Sequence, residues 1–124
     1  MGDNPAARLL IASLLGLAMI GNAGAAGPDN FNGDDRRGAD LVKNYRCGTC
    51  HDIPGIAGAN GNVGPPLQRI GTRTYIAGYI QNSPDNMAAW IEDPQKALPG
   101  NAMPRMGISQ KDARDIAAFL YTLK

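Results

Sequence analysis

Cys47-Gly48-Thr49-Cys50-His51 sets two thiols three positions apart, with a histidine directly after the second. This is the Cys-x-x-Cys-His spacing of c-type haem attachment. Each thiol can add to one vinyl group, and one short turn brings both to the same porphyrin edge. His51 then lies beneath the ring, where an imidazole nitrogen can bind iron as the proximal ligand. Two other chemistries use paired cysteines. A closed zinc site needs about four ligands, and with no third cysteine and no second histidine it would take two unusual carboxylates. A redox dithiol wants Cys-x-x-Cys at a helix N-terminus after a buried strand. Here the segment before Cys47 is polar and helical in pattern, with no β-α-β alternation around it. The stretch therefore predicts one covalent haem c.

His51 is the only histidine, so a bis-histidine haem is excluded. The sixth position is left to Met, Lys, an amine, water or nothing. Met103 and Met106 lie on a loop far along the chain, able to return over the opposite haem face. A thioether raises the haem potential relative to harder donors. Both methionines remain open on the residues alone, although Pro104 restricts the backbone of Met103 and helps hold its sulfur. A ligating histidine donates its second ring N–H to a neighbouring acceptor. The stiff run Gly64-Pro65-Pro66-Leu67 carries carbonyls free of any helix ladder, and Pro65 is the candidate acceptor. Trp90, the single tryptophan, has core packing as its simplest role. A buried indole N–H still wants an acceptor, which a haem propionate would supply.

The elements that must position these groups are helical. Asp34 and Asp35 suit the positive end of a helix on which Gly38, Leu41, Val42 and Tyr45 form an apolar stripe running into Cys47. The missing side chain of Gly38 lets another helix cross closely. Residues 52–71 are rich in Gly, Pro and Asn and predict a long loop, of a length that is usually functional in a compact domain. Residues 73–80 predict a short helix through Tyr75, Ile76, Tyr79 and Ile80. Ser83-Pro84 starts another, with Met87, Trp90 and Ile91 on one face and Pro94 as its stop. Residues 94–108 read as a second extended loop. Ser109 caps the last helix, with Asp112 completing a near-capping box. Its face is Ala113, Ile116, Ala117 and Leu120, widened by Phe119 and Leu123, and it should cross the first helix near Gly38. No alternating strand pattern is visible.

The 124 residues suffice for one small domain, and 16 glycines with 9 prolines leave a thin core. Such a loop-rich chain is marginal unless something staples it, and a buried haem would supply apolar mass. Before the domain, Leu9 to Ile20 is apolar, follows Arg8, and precedes the small run Gly21 to Gly27, which holds Ala23-x-Ala25 as a cleavage signature. This is the layout of a secretory signal over residues 1–25. No charge occurs from Leu9 through Gly27, a length inside the spanning range of about 17–25 residues, so a retained anchor is the competing reading. Either outcome exports the domain, to the periplasm, and makes membrane contact conditional on keeping that segment. Residues 26–33 read as linker and 34–124 as the domain. A net charge of +1 gives no case for nucleic acid or an acidic substrate.

Over residues 34–124 the chain resembles a class I c-type cytochrome. The resemblance rests on Gly38-x-x-x-Val42 ahead of Cys47-x-x-Cys50-His51 and on Val63-Gly64-Pro65-Pro66-Leu67. It extends through Trp90-Ile91-x-Asp93-Pro94, Pro99-Gly100-Asn101-Ala102-Met103-Pro104 and the Ala-Ala-Phe-Leu-Tyr of the last helix. Asn82-Ser83-Pro84 and Trp90 to Gln95 are similar to cytochrome c domains fused to oxidase subunit II. The resemblance implies an all-α cytochrome c fold, with terminal helices crossing, short middle helices, and long loops around one haem. It implies thioethers at Cys47 and Cys50, axial His51 and Met103, the Pro65 carbonyl orienting His51, and Arg73 and Trp90 as propionate partners. Two departures stand out. Val42 replaces the usual aromatic, which predicts a looser helix crossing, and the spacing from Gly38 to Cys47 is one residue longer than in many members.

The expected function is that of an exported, monomeric one-electron carrier, not an enzyme, meeting a terminal oxidase or dehydrogenase transiently. With both axial positions filled, iron has no site for substrate. No catalytic triad, Cys/His pair or paired carboxylates remain once the sole histidine is used. A labile Met103 would instead give a peroxidase or gas sensor. A third reading is a fixed subunit through which electrons enter a larger membrane oxidoreductase. Arg46, Arg69, Lys96 and Arg105 are the cations that folding could gather near the haem edge.

Overall fold

The computed structural model describes residues 31–124, so the signal expected over 1–25 and most of the linker over 26–33 lie outside the described residues. Helix α1 (Asp35–Asn44) begins where the Asp34 carboxylate accepts from the Arg37 N–H at 2.9 Å. Helix α4 (Gln110–Leu120) begins the same way, with Ser109 Oγ accepting from Asp112 N at 3.1 Å. Each cap satisfies an N–H that the first helical turn leaves without a partner. The two helices cross at Gly38, where a Cβ would lie 1.9 Å from the Asp115 carbonyl oxygen and 2.9 Å from Phe119 Cβ. Val42, expected to loosen this crossing, is 1% exposed within the core. Helix α2 (Pro84–Glu92) packs on α4 as well, through buried Met87, Ala88 and Ile91. With Leu41, Ile116, Ala117 and Leu120 these residues form part of the core.

An ionic cluster fastens α1 to α4. Asp115 is 3% exposed and takes the Asp34 N–H at 2.8 Å, Lys111 Nζ at 2.9 Å and the Arg37 guanidinium. Asp112 takes the other arm of Arg37 at 2.5 Å and the Tyr45 hydroxyl at 2.8 Å, so its carboxylate reaches across to α1. Burial pushes the Asp115 carboxyl up, but the Asp34 N–H, Lys111 and Arg37 more than offset it and hold it below the ordinary 3.8. Asp112 is held below 3.8 first by Tyr45, then by Arg37. A carboxyl whose folded pKa is depressed contributes stability that is complete above its unfolded pKa and is lost as pH falls through the folded value. The urea midpoint should therefore fall steeply below pH 3.8. Asp115→Asn should cost about 2 kcal/mol at neutral pH and flatten that acid limb. An unchanged acid limb in the variant would remove Asp115 from the account.

Three expectations need correction. Residues 73–80 do not form a helix. They make a hairpin of β1 (Tyr75–Ile76) and β2 (Ile80–Gln81), antiparallel, with Ile76 opposite Ile80. Ala77 (φ 50) and Gly78 (φ 77) are both left-handed, in a turn closed by Tyr79 N–H to Ile76 O at 3.1 Å. Paired positive φ angles drive a primed turn and cannot continue a right-handed helix. The absence of strands was therefore wrong as well. Nor is 94–108 extended throughout: Pro94 starts a short helix α3 (Pro94–Ala97) rather than merely stopping α2. Its ring suits the first helical position, and Asp93 caps it by accepting from Lys96 N at 3.0 Å. Arg46 is left-handed (φ 58) between the end of α1 and the turn that follows.

Candidate functional site

The Cys-x-x-Cys-His stretch is one tight turn. Residues Cys47–Thr49 form a 3-10 helix, and the Cys50 and His51 N–H groups both return to the Cys47 carbonyl, at 3.2 and 3.0 Å. Both thiols are free and half-buried on this turn. Burial pushes the Cys47 thiol up, the reverse of the lowered thiol of a redox Cys-x-x-Cys. Among the described residues, no group of three or more His, Cys, Asp or Glu is placed to hold a metal ion.

The glycine-rich loop expected over 52–71 wraps this turn and bonds to it repeatedly. Gly61 N donates to Gly48 O at 3.0 Å and to His51 O at 3.2 Å, and Gly64 N donates to Cys50 O at 2.8 Å. Absent side chains make the approach possible. A Cβ on Gly48 would lie 2.5 Å from Ala59 Cβ, one on Gly61 would lie 2.4 Å from Thr49 O, and one on Gly64 would lie 2.4 Å from His51 Cε1. Composition pointed to a loop, but only the fold shows that three of its contacts depend on missing Cβ atoms.

His51 Nδ1 lies 2.7 Å from the Pro65 carbonyl oxygen. A carbonyl only accepts, so Nδ1 carries the proton and Nε2 keeps its lone pair for a metal. Two free thiols on one turn and an imidazole with Nε2 available, its ring flanked by a glycine, fit a covalently attached haem. Among the described residues they lack the further ligands that a closed zinc site needs.

The remaining candidates are placed as follows. The Arg73 guanidinium donates to the Pro66 and Gln68 carbonyls at 2.6 and 2.8 Å, bracing the loop that holds Pro65. Trp90 is half-buried and packs against the core from α2. Met103 is half-buried on the loop after α3, whereas Met106 is 42% exposed. Of the four cations expected near the haem edge, Arg46, Arg69 and Lys96 are exposed, and Arg105 pairs with Asp93 at 3.1 Å. Sequence reasoning missed Gln95 and Asn101, whose amides bind the main chain around Met103. Their polar character amid Pro and Gly was the available signal.

The cytochrome c family model matches residues 36–124. Cytochrome c oxidase subunit 2 of Alkalihalophilus pseudofirmus is 36% identical over 89 residues, covering 71% of this chain and 25% of that protein. The present chain thus spans about a quarter of that relative. Cytochrome c of Arabidopsis thaliana is 33% identical over 104 residues, covering 73% of this chain and 90% of that protein. Among solved structures, cytochrome c2 from Rhodobacter sphaeroides superposes with a TM-score of 0.58 at 24% identity, over 74% of this chain and 97% of that one. That likeness speaks for the fold.

Proposed function

The chain belongs to the cytochrome c family and is a haem-based electron carrier with one covalent haem c, and from that premise we propose a His51/Met103-ligated carrier exported to the periplasm. It works as a monomer, not as an enzyme, and moves single electrons between respiratory complexes through brief encounters with a terminal oxidase or dehydrogenase. Cys47 and Cys50 hold the haem covalently, and the haem when bound supplies reversible one-electron exchange at iron. His51 offers Nε2, and the Pro65 carbonyl fixes the ring's tautomer and orientation from the other side. Arg73 holds the Pro66 and Gln68 carbonyls and so keeps that loop in place; it and Trp90 are the side chains proposed to face the propionates.

The observation that carries the reading is the grip on Met103. Its N–H donates to Asn101 Oδ1 at 2.7 Å and its carbonyl accepts from Gln95 Nε2 at 2.8 Å, while Met106 is exposed. A methionine whose main chain is held at a fixed place suits a permanent thioether ligand, which would leave iron no open face and limit the protein to electron exchange. The match to one quarter of an oxidase subunit supports a second reading, in which the domain is a fixed point where electrons enter a larger membrane assembly. Among the described residues no helix is long and apolar enough to cross a membrane.

Optical spectra of the purified holoprotein, with and without carbon monoxide, test the proposal. The oxidised protein should show the weak far-red sulfur-to-iron band, and the reduced spectrum should be indifferent to carbon monoxide. Rapid carbon monoxide binding by the unaltered protein would replace the carrier with a gas sensor or peroxidase. Co-purification with a membrane complex at fixed stoichiometry would favour the second reading.

A further inference from the structure

The geometry points to Gln95 and Asn101 as positioning residues for Met103, a clamp of two amides that sets how readily its sulfur leaves iron. The inference rests on the reading that Met103 supplies the sixth ligand. A side-chain amide has two N–H donors and one carbonyl acceptor. Gln95 spends both donors on main-chain carbonyls, Asn101 O at 2.9 Å and Met103 O at 2.8 Å, and its Oε1 accepts from Gly100 N at 3.2 Å. Asn101 donates to Pro94 O at 2.8 Å and Leu98 O at 2.7 Å, and its Oδ1 accepts the Met103 N–H at 2.7 Å. Every donor of both amides is used, and both polar main-chain groups of Met103 are held by them.

Nothing else in the main chain does this work. Among the described residues, no hydrogen bond between two main-chain groups starts or ends within residues 102–108. The remaining polar tie is the Asp93–Arg105 ion pair at 3.1 Å, whose arginine is 67% exposed and which is worth little in solution. Gln95, by contrast, stands on α3, a helix fixed by its Asp93 cap and by buried Pro94. The short helix missing from the sequence reading is thus the rigid post from which the methionine loop is hung. Removing the Gln95 donors frees two carbonyls and loosens the loop without touching the core.

Gln95→Leu keeps a branched side chain one atom shorter and removes its polar groups. Gln95→Glu keeps an acceptor for Gly100 N and removes both donors, and Arg105→Ala serves as the control at the loop mouth. The holoproteins would be compared by the pH at which the far-red band is lost, by the rate of carbon monoxide binding to the reduced form, and by far-ultraviolet circular dichroism on heating. Both Gln95 variants should lose the band about one pH unit earlier and bind carbon monoxide at least about tenfold faster, as expected for the loss of two hydrogen bonds. Their helix melting should stay within a few degrees of the unaltered protein, and Arg105→Ala should match the unaltered protein in all three. A band and a rate unchanged in both Gln95 variants overturn the clamp, and so does helix melting that falls in step with the band. If Met103→Ala abolishes the band while the Gln95 variants do nothing, the ligand reading stands and the clamp alone fails. If the unaltered protein has no band and Met103→Ala changes nothing, the ligand reading fails and takes the clamp with it. Should Gln95→Leu not accumulate as folded protein, Gln95→Glu carries the same comparison.

Discussion

Gly38→Ala should be among the most damaging single-methyl additions this chain can suffer. Alanine ordinarily favours a helix over glycine by about 1 kcal/mol, so on α1 alone the change would stabilise. The crossing reverses the sign. The new Cβ would lie 1.9 Å from the Asp115 carbonyl oxygen and 2.6 Å from its carbonyl carbon, and both belong to main chain in the middle of α4. Neither can rotate away, so α1 and α4 must separate. Separation loosens buried Leu41, Val42, Ala113 and Ala117 and draws Arg37 from Asp112 and Asp115. Overpacking of this kind costs about 1–3 kcal/mol where side chains can yield, and here backbone must yield, so a net loss of about 3 kcal/mol is expected. For a domain near 100 residues that lowers the melting temperature by roughly 10–20 °C. The optical spectrum of whatever folds should change little, because the haem-attachment turn lies beyond the C-terminal end of α1. A variant melting within 2–3 °C of the parent, well inside that roughly 10–20 °C, would show that the helices do not meet as closely as described.

The parts of the molecule that were legible in the chain are those where one residue type answers one local need. Asp34, Ser83 and Ser109 each cap a helix because a short oxygen-bearing side chain can satisfy a first-turn N–H. The stripes of α1 and α4 announced their buried faces, and Gly38 announced the crossing. The hairpin was not legible, because Tyr75, Ile76, Tyr79 and Ile80 suit a helix face as well as two short strands. The decision lay with Ala77, an alanine in a left-handed turn that propensity alone disfavours. Asp115 went unremarked for a related reason. An aspartate on a helix reads as solvent-facing, and its burial depends on Arg37, 78 residues away in the chain. At the site, Cys47, Cys50, His51 and Pro65 lie close in sequence, and the local turn brings them together. The environment of Met103 is built by amides whose partners only the folded loop defines.

Met103→Ala should separate carrier from catalyst. If the Met103 sulfur is the sixth ligand, the variant loses the far-red band, its potential falls, and its iron opens to carbon monoxide and peroxide. The potential falls because a thioether favours ferrous iron, whereas the water or hydroxide that takes its place favours ferric. Stability falls too. A bond from the haem to Met103 tethers the chain far from the attachment at Cys50, and the closure entropy of so long a loop is about 3 kcal/mol. The loss should be smaller than that, since Gln95 and Asn101 still hold the main chain of residue 103. Met106→Ala should leave band, potential and carbon monoxide reactivity nearly unchanged, because that side chain is already 42% exposed. Should Met106→Ala erase the band while Met103→Ala spares it, the ligand is Met106 and the carrier survives with a different sixth donor. Should neither change matter, and the unaltered protein already bind carbon monoxide, the iron was open from the start. Peroxide turnover or gas binding would then be the activity to measure.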